Sequence, residues 1–131
     1  MAGNMSDYLE GKILNLTLRN TAFATVAQAY VALHVGACGD DGAANEITAL
    51  GGYARVAAAF DAPSGGVTQN TAAITFGPAT EAWGEISHIS IWDALSGGNC
   101  LYAGAATAPL QTIANGNEFE IAIGDLVVTA T

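Results

Sequence analysis

Residues 83–104, WGEISHISIWDALSGGNCLYAG, constrain the fold of this chain more than any other stretch. An apolar and aromatic run (Ile86, Ile89, Ile91, Trp92) leads into a turn cluster (Asp93, Ser96, Gly97, Gly98, Asn99). A second run (Leu101, Tyr102) then stops at Gly104. Gly, Asn and Asp supply the φ > 0 conformations that tight connections need, so the pattern predicts one β-hairpin. Nothing in it has the form of a catalytic centre.

The rest of the chain extends that prediction. Ser6 and Asp7 can each cap a helix, and Glu10 lies three residues after Asp7, as in a capping box. The pairs Leu9/Ile13 and Leu14/Leu18 repeat at helical spacing, with Lys12 and Asn15 left for a wetter face, which predicts a helix over residues 7–18. Arg19 and Asn20 suit its C-terminal end, where a cation meets the negative dipole end and Asn accepts the left-handed conformation. Residues 27–35 alternate, with Ala29, Val31, Leu33 and Val35 on one face and Tyr30, Ala32 and His34 on the other. A Gly-, Asp- and Asn-rich surface loop is expected over 36–52, and strand character resumes over 53–60 before a turn at Pro63, Ser64, Gly65 and Gly66. Further strands are expected at 72–76, 85–92, 100–106, 118–123 and 126–129. Short strands with regular Gly, Pro and Asn punctuation predict a mainly β chain: an antiparallel β-sandwich of jelly-roll or Greek-key kind with one N-terminal α-helix. The organisation expected is an N-terminal arm over 1–6 and a single domain over 7–131. Many strand positions are Ala, which packs little area on a pleated face, so these strands gain from association with neighbouring subunits.

Three cations (Lys12, Arg19, Arg55) stand against twelve carboxylates, for a formal charge of −9. Binding to phosphate backbones or anionic membranes needs clustered Lys and Arg, so nucleic acid and membrane are not expected partners. The first residues, MAGNMSDY, lack the basic and apolar regions of a signal peptide, and no run approaches the roughly 18 apolar residues of a spanning helix. The product is expected to accumulate in the cytoplasm of the cell that makes it. Cys38 and Cys100 are too few for a disulfide framework. Two buried free thiols are the simplest reading, and a mutual or intermolecular disulfide formed in an oxidising medium is the alternative.

Asp40, Asp41, Asn45 and Glu46 form the densest group of oxygen ligands, yet their spacing does not fit an EF-hand. A solvated acidic loop is the simpler reading and an ordered cation the alternative. His34 and His88 lie within strands, with none of the spacings of a metal site, and Ser87 and Ser90 beside His88 make no triad by adjacency alone. Glu81, Glu85 and Asp93 would need a shared cleft to hydrolyse a glycoside, and at strand ends and turns they read as surface charge. Trp92 is expected in the core. Trp83 is the candidate for an edge or interface contact, since a Trp offers rigid contact area at low entropic cost. No catalytic, cofactor-binding or metal-binding residue is expected, and no cofactor.

The order of SDYLEGKILN, QAYVALHV, an acidic Gly-rich loop, GGYARVAAAF, NTAAITFGPAT, WGEISHISIWDALSGGNCLYAG and GDLVV resembles a family of small tailed-phage virion proteins, labelled variously tail-fibre or head decoration proteins. The resemblance runs from Ser6 to Val128, and its most specific pieces are Gly52-Tyr53-Ala54-Arg55 and Ile91-Trp92-Asp93-Ala94 with Ser96-Gly97-Gly98-Asn99. It implies a structural protein of the virion with no enzymatic site. A decoration (cement) protein would bind the major capsid protein on the outer head, as a homo-oligomer, commonly a trimer. A tail-fibre or other tail component would instead present loops to a receptor, often a glycan. The compact chain, with no repetitive shaft, favours capsid decoration, with the tail as the alternative. On the decoration reading Met1, Ala2, Gly3, Asn4 and Met5 form a natural tether to a neighbouring subunit, because a polar end has no reason to order alone.

Overall fold

The computed structural model describes residues 4–48, 51–107 and 110–130. Met1, Ala2 and Gly3 of the expected arm lie outside the described residues. Asn4 and Met5 form a short strand, β1 (Asn4–Met5), paired with Ala103 and Tyr102 of a strand farther along the chain. The only helix among the described residues, α1 (Asp7–Leu18), follows at once. Ser6 is its N-cap: its hydroxyl accepts from the Leu9 amide at 3.2 Å and donates to the Cys100 carbonyl, so the cap also ties the helix to the sheet. With Ser6 as cap, the position three residues on is Leu9, and the capping box expected between Asp7 and Glu10 does not form. Of the helix side chains only Leu9 is buried. At 100° per residue Leu14 and Leu18 point away from Leu9 and Ile13, and both are exposed. Asn20 takes the left-handed conformation expected after the helix, at φ 53°.

One five-stranded antiparallel sheet organises the molecule, in the order β1-β8-β7-β2-β3. Its members beyond β1 are β2 (Ala29–His34), β3 (Val56–Ala58), β7 (His88–Trp92) and β8 (Cys100–Ala105). The expected hairpin is present as β7–β8, closed over residues 93–99, where Asp93 accepts from the Asn99 amide at 2.7 Å. It is shorter than expected, because the run 85–92 is two strands. β6 (Gly84–Ile86) leaves the sheet at Ser87 and pairs with β9 (Gln111–Ile113) in the other layer. The run 53–60 likewise yields only β3, with Phe60 making a single bridge to Asn70.

The opposing layer consists of three two-stranded pairs: β6–β9, β5 (Ile74–Phe76) with β10 (Phe119–Ile121), and β4 (Val67–Gln69) with β11 (Val127–Thr129). Period-two alternation delivers the core, since Val31, Leu33, Ile89 and Ile91 on one face of the sheet meet Ile74, Phe76, Ile86, Ile121 and Val128 of the pairs. The fold is thus a mainly β antiparallel sandwich with one N-terminal helix, as expected. Asn70, fully buried, joins the pairs: its amide donates to the carbonyls of Ala72 and Ala122, and its side-chain oxygen accepts from Leu126 at 3.0 Å.

The other face of the sheet carries Ala32, Trp92 and Cys100 in a second small cluster. It is covered by the connection over residues 36–48, so this stretch is a lid on the sheet rather than a free surface loop. Gly42 allows the closest approach: a Cβ there would stand 2.3 Å from Cys100 Sγ.

Candidate functional site

Polar chemistry gathers where this lid meets the sheet. Arg55, just before β3, donates from Nε and Nη2 to the two oxygens of Glu46, at 2.9 and 2.8 Å. Its Nη1 donates to the carbonyls of Ala94 and Gly97 in the β7–β8 connection, at 3.0 and 2.8 Å. The guanidinium also lies 3.9 Å over the Trp92 ring, a cation–π contact. Tyr53 donates to Glu46 at 2.8 Å and accepts from the Leu33 amide at 3.1 Å. Burial alone would raise the Glu46 pKa, but the hydrogen bonds from Arg55 and Tyr53 outweigh it and hold the carboxyl below its ordinary value. Burial pushes the Tyr53 hydroxyl up, so it stays a donor.

His34 forms a second centre, with no exposed surface. Its Nδ1 lies 2.8 Å from the Ala44 carbonyl, which only accepts, so the ring proton sits on Nδ1. Nε2 then accepts from the Ser90 hydroxyl at 2.7 Å, and that hydroxyl accepts from Trp92 Nε1 at the same distance. Burial lowers the His34 pKa, which keeps the ring neutral. A Ser–His pair therefore exists, but it is sealed from solvent and its third member is a carbonyl. This geometry orients a lid and offers no path for a substrate.

A cleft of about 800 Å³ lies between the five-stranded sheet and the β4–β11 pair, walled by Ala29, Ala58, Ile91, Tyr102, Val67 and Val128. Two of its polar neighbours are already engaged. The Gln28 amide donates to the carbonyls of Ala29 and Ala58, and Asp61 accepts from the Thr68 hydroxyl. Such walls suit apolar groups better than sugars, which need free donors and acceptors.

The remaining sequence candidates separate. Trp83, expected at an edge or interface, is buried in the main core: its Nε1 donates to the Gly51 carbonyl at 2.9 Å and its ring meets Tyr53 edge-on at 5.7 Å. Trp92 is buried as expected. Neither tryptophan is free to stack on a sugar. Asn4 and Met5 are paired in the sheet rather than loose. Cys38 and Cys100 are both buried free thiols, with no bond between them. The oxygens of the 40–46 stretch do not converge: Asp40 gives its carbonyl to the Asp7 amide, Asp41 caps Ala43, and Glu46 holds Arg55. Among the described residues no three His, Cys, Asp or Glu side chains are grouped as metal ligands. His34 and His88 face each other across β2 and β7, and His88 bonds Ser87 at 2.9 Å. Glu81 and Glu85 are exposed, apart from the cleft. Sequence reasoning missed the Arg55 hub, although Arg55 is one of only three cations and lies between two aromatic stretches.

No helix among the described residues is long and apolar enough to cross a membrane. No match was found among curated proteins. Against family models, residues 4–129 match the one described as "Podophage GP4 fiber I protein gp80". That description fits the tail-fibre expectation better than capsid decoration. With the match spanning nearly the whole chain, the protein belongs to this family of phage fibre proteins.

Proposed function

We infer that this protein is a non-enzymatic component of the fibre apparatus on a phage tail, working through contacts with other virion proteins and with copies of itself. The observation that carries the reading is the family match over residues 4–129. It favours the tail over the head, so the major capsid protein gives way to tail proteins as the partner. The polar geometry supports binding rather than catalysis, because Glu46, Arg55, His34 and Ser90 are all spent on holding the lid and the β7–β8 connection. A formal charge of −9 supports the same view, since it disfavours nucleic acid and anionic membrane as ligands.

Electron cryomicroscopy of the purified virion tests the location. Density for this sandwich in a small number of copies at the tail is the expected result. Density in many symmetric copies over the head would restore the decoration reading and overturn this one. Turnover of a host polysaccharide by the purified protein would overturn the non-enzymatic part.

A further inference from the structure

Helix α1 is apolar on two opposite sides. Leu9 and Ile13 face the sheet, while Gly11, Leu14 and Leu18, spaced i, i+3 and i+7, form the opposite stripe. Leu14 is 56% and Leu18 77% exposed, and a Cβ placed on Gly11 would meet nothing within 4 Å. Leu95 and Ile123, exposed to a similar degree, stand in turns away from the helix. Single exposed apolar residues are ordinary, but a stripe at heptad spacing on a helix is the pattern that packs against another helix.

Charge identifies the occupant. Within residues 7–19 two carboxylates, Asp7 and Glu10, stand against two cations, Lys12 and Arg19, so this element is neutral. The formal charge of −9 therefore belongs wholly to the remainder, whose one cation, Arg55, is consumed by Glu46. Two copies meeting through the remainder bring together surfaces of net like charge. At α1 they meet an apolar stripe on an element whose charges sum to zero, and Gly11 leaves room for a partner side chain to approach closely.

We propose that the outward stripe of α1 is the surface through which copies of this protein associate, helix against helix. The inference gives a surface to the self-association suggested above but does not depend on where in the virion the protein sits, because its test uses the isolated chain. Sedimentation equilibrium of the full chain should show reversible association, and Leu14→Glu/Leu18→Glu should weaken the association constant at least tenfold. Gly11→Gln, which fills the gap while suiting a helix better than Gly, should weaken it too without loss of fold by circular dichroism. Leu95→Glu, the same substitution at a leucine as exposed as Leu14, should associate like the native chain, whereas Leu14→Glu alone should already weaken association. The proposal is overturned if the native chain stays monomeric at every concentration, if the α1 variants associate as tightly as it does, or if Leu95→Glu dissociates equally.

Discussion

Replacing Arg55 by Ala should destabilise the fold by about 3–5 kcal/mol, the range for breaking a buried ion pair by removing one partner. The figure follows from what Arg55 leaves behind. Its side chain is 8% exposed and that of Glu46 20%, so the stranded carboxylate cannot recover its hydration by a small movement. The Ala94 and Gly97 carbonyls lose their donor, and the Trp92 ring loses the cation above it. Urea unfolding near neutral pH, followed by tryptophan fluorescence, measures the loss directly. Acid provides a second reading. The Glu46 pKa lies below its ordinary 4.5, so its stabilisation is complete above that value and is lost as pH falls through the folded-state pKa. Without Arg55, burial favours the protonated acid, so the gap between native and variant should narrow as pH falls. Adding Glu46→Gln to Arg55→Ala should then cost less than the two single losses combined. A loss under about 1 kcal/mol, the level of an exposed pair, would refute the argument that Arg55 locks the lid to the β7–β8 connection. So would a gap unchanged by acid.

Three further measurements bear on the same architecture. The His34 pKa lies below its ordinary 6.5, so stability should be complete above that pH and decline as the solution is acidified toward the folded-state value; a His34→Gln chain should lose this slope in thermal melts. Gly42→Ala combines φ +72° with a Cβ 2.3 Å from Cys100 Sγ and should cost at least about 3 kcal/mol in urea unfolding; Gly65→Ala, at φ +62° with open space around it, should cost only the backbone part, about 1–2 kcal/mol. Burial pushes the Cys38 thiol up to about 11 and the Cys100 thiol up to about 12, so both should resist a thiol reagent at mildly alkaline pH and react once urea unfolds the chain.

What could be read before the structure was what local chemistry decides. Helix α1 spans the expected residues because Ser6 caps it and its apolar spacing is helical, and β2 follows the alternation from Ala29 to His34. The β7–β8 turn sits where Gly97, Gly98 and Asn99 require it. Misreadings arose where partners distant in sequence decide. Residues 85–92 look like one strand, since nothing at Ser87 announces that its amide will bond the His34 carbonyl while β6 departs to meet β9. Trp83 looked available because the residues that bury it, Gly51 and Tyr53, lie some thirty positions earlier. The Arg55 hub was hidden for the same reason: it draws on Glu46 on one side and the 94–97 carbonyls on the other. Both leucine pairs of α1 suited a helix, but only the sheet's position decided that Leu14 and Leu18 would face outward.

The distribution of charge and polarity then bears on function more than any single motif. The buried polar groups are committed inward: Glu46 to Arg55 and Tyr53, Ser90 to His34 and Trp92, Asn70 to three backbone partners. Such groups are costly to bury and are retained where they fix one arrangement of loops, here the lid over Trp92 and the joints between strand pairs. Seven of the eleven strands among the described residues contain only three residues, so backbone pairing alone holds each of them weakly. A sandwich of short strands locked by buried polar hubs keeps its shape while presenting an acidic exterior, a neutral apolar helix at one edge and an apolar cleft between its layers. That combination favours a part that recognises protein surfaces over one that turns over a substrate, and it makes the outward stripe of α1 the first surface at which to look for a neighbour.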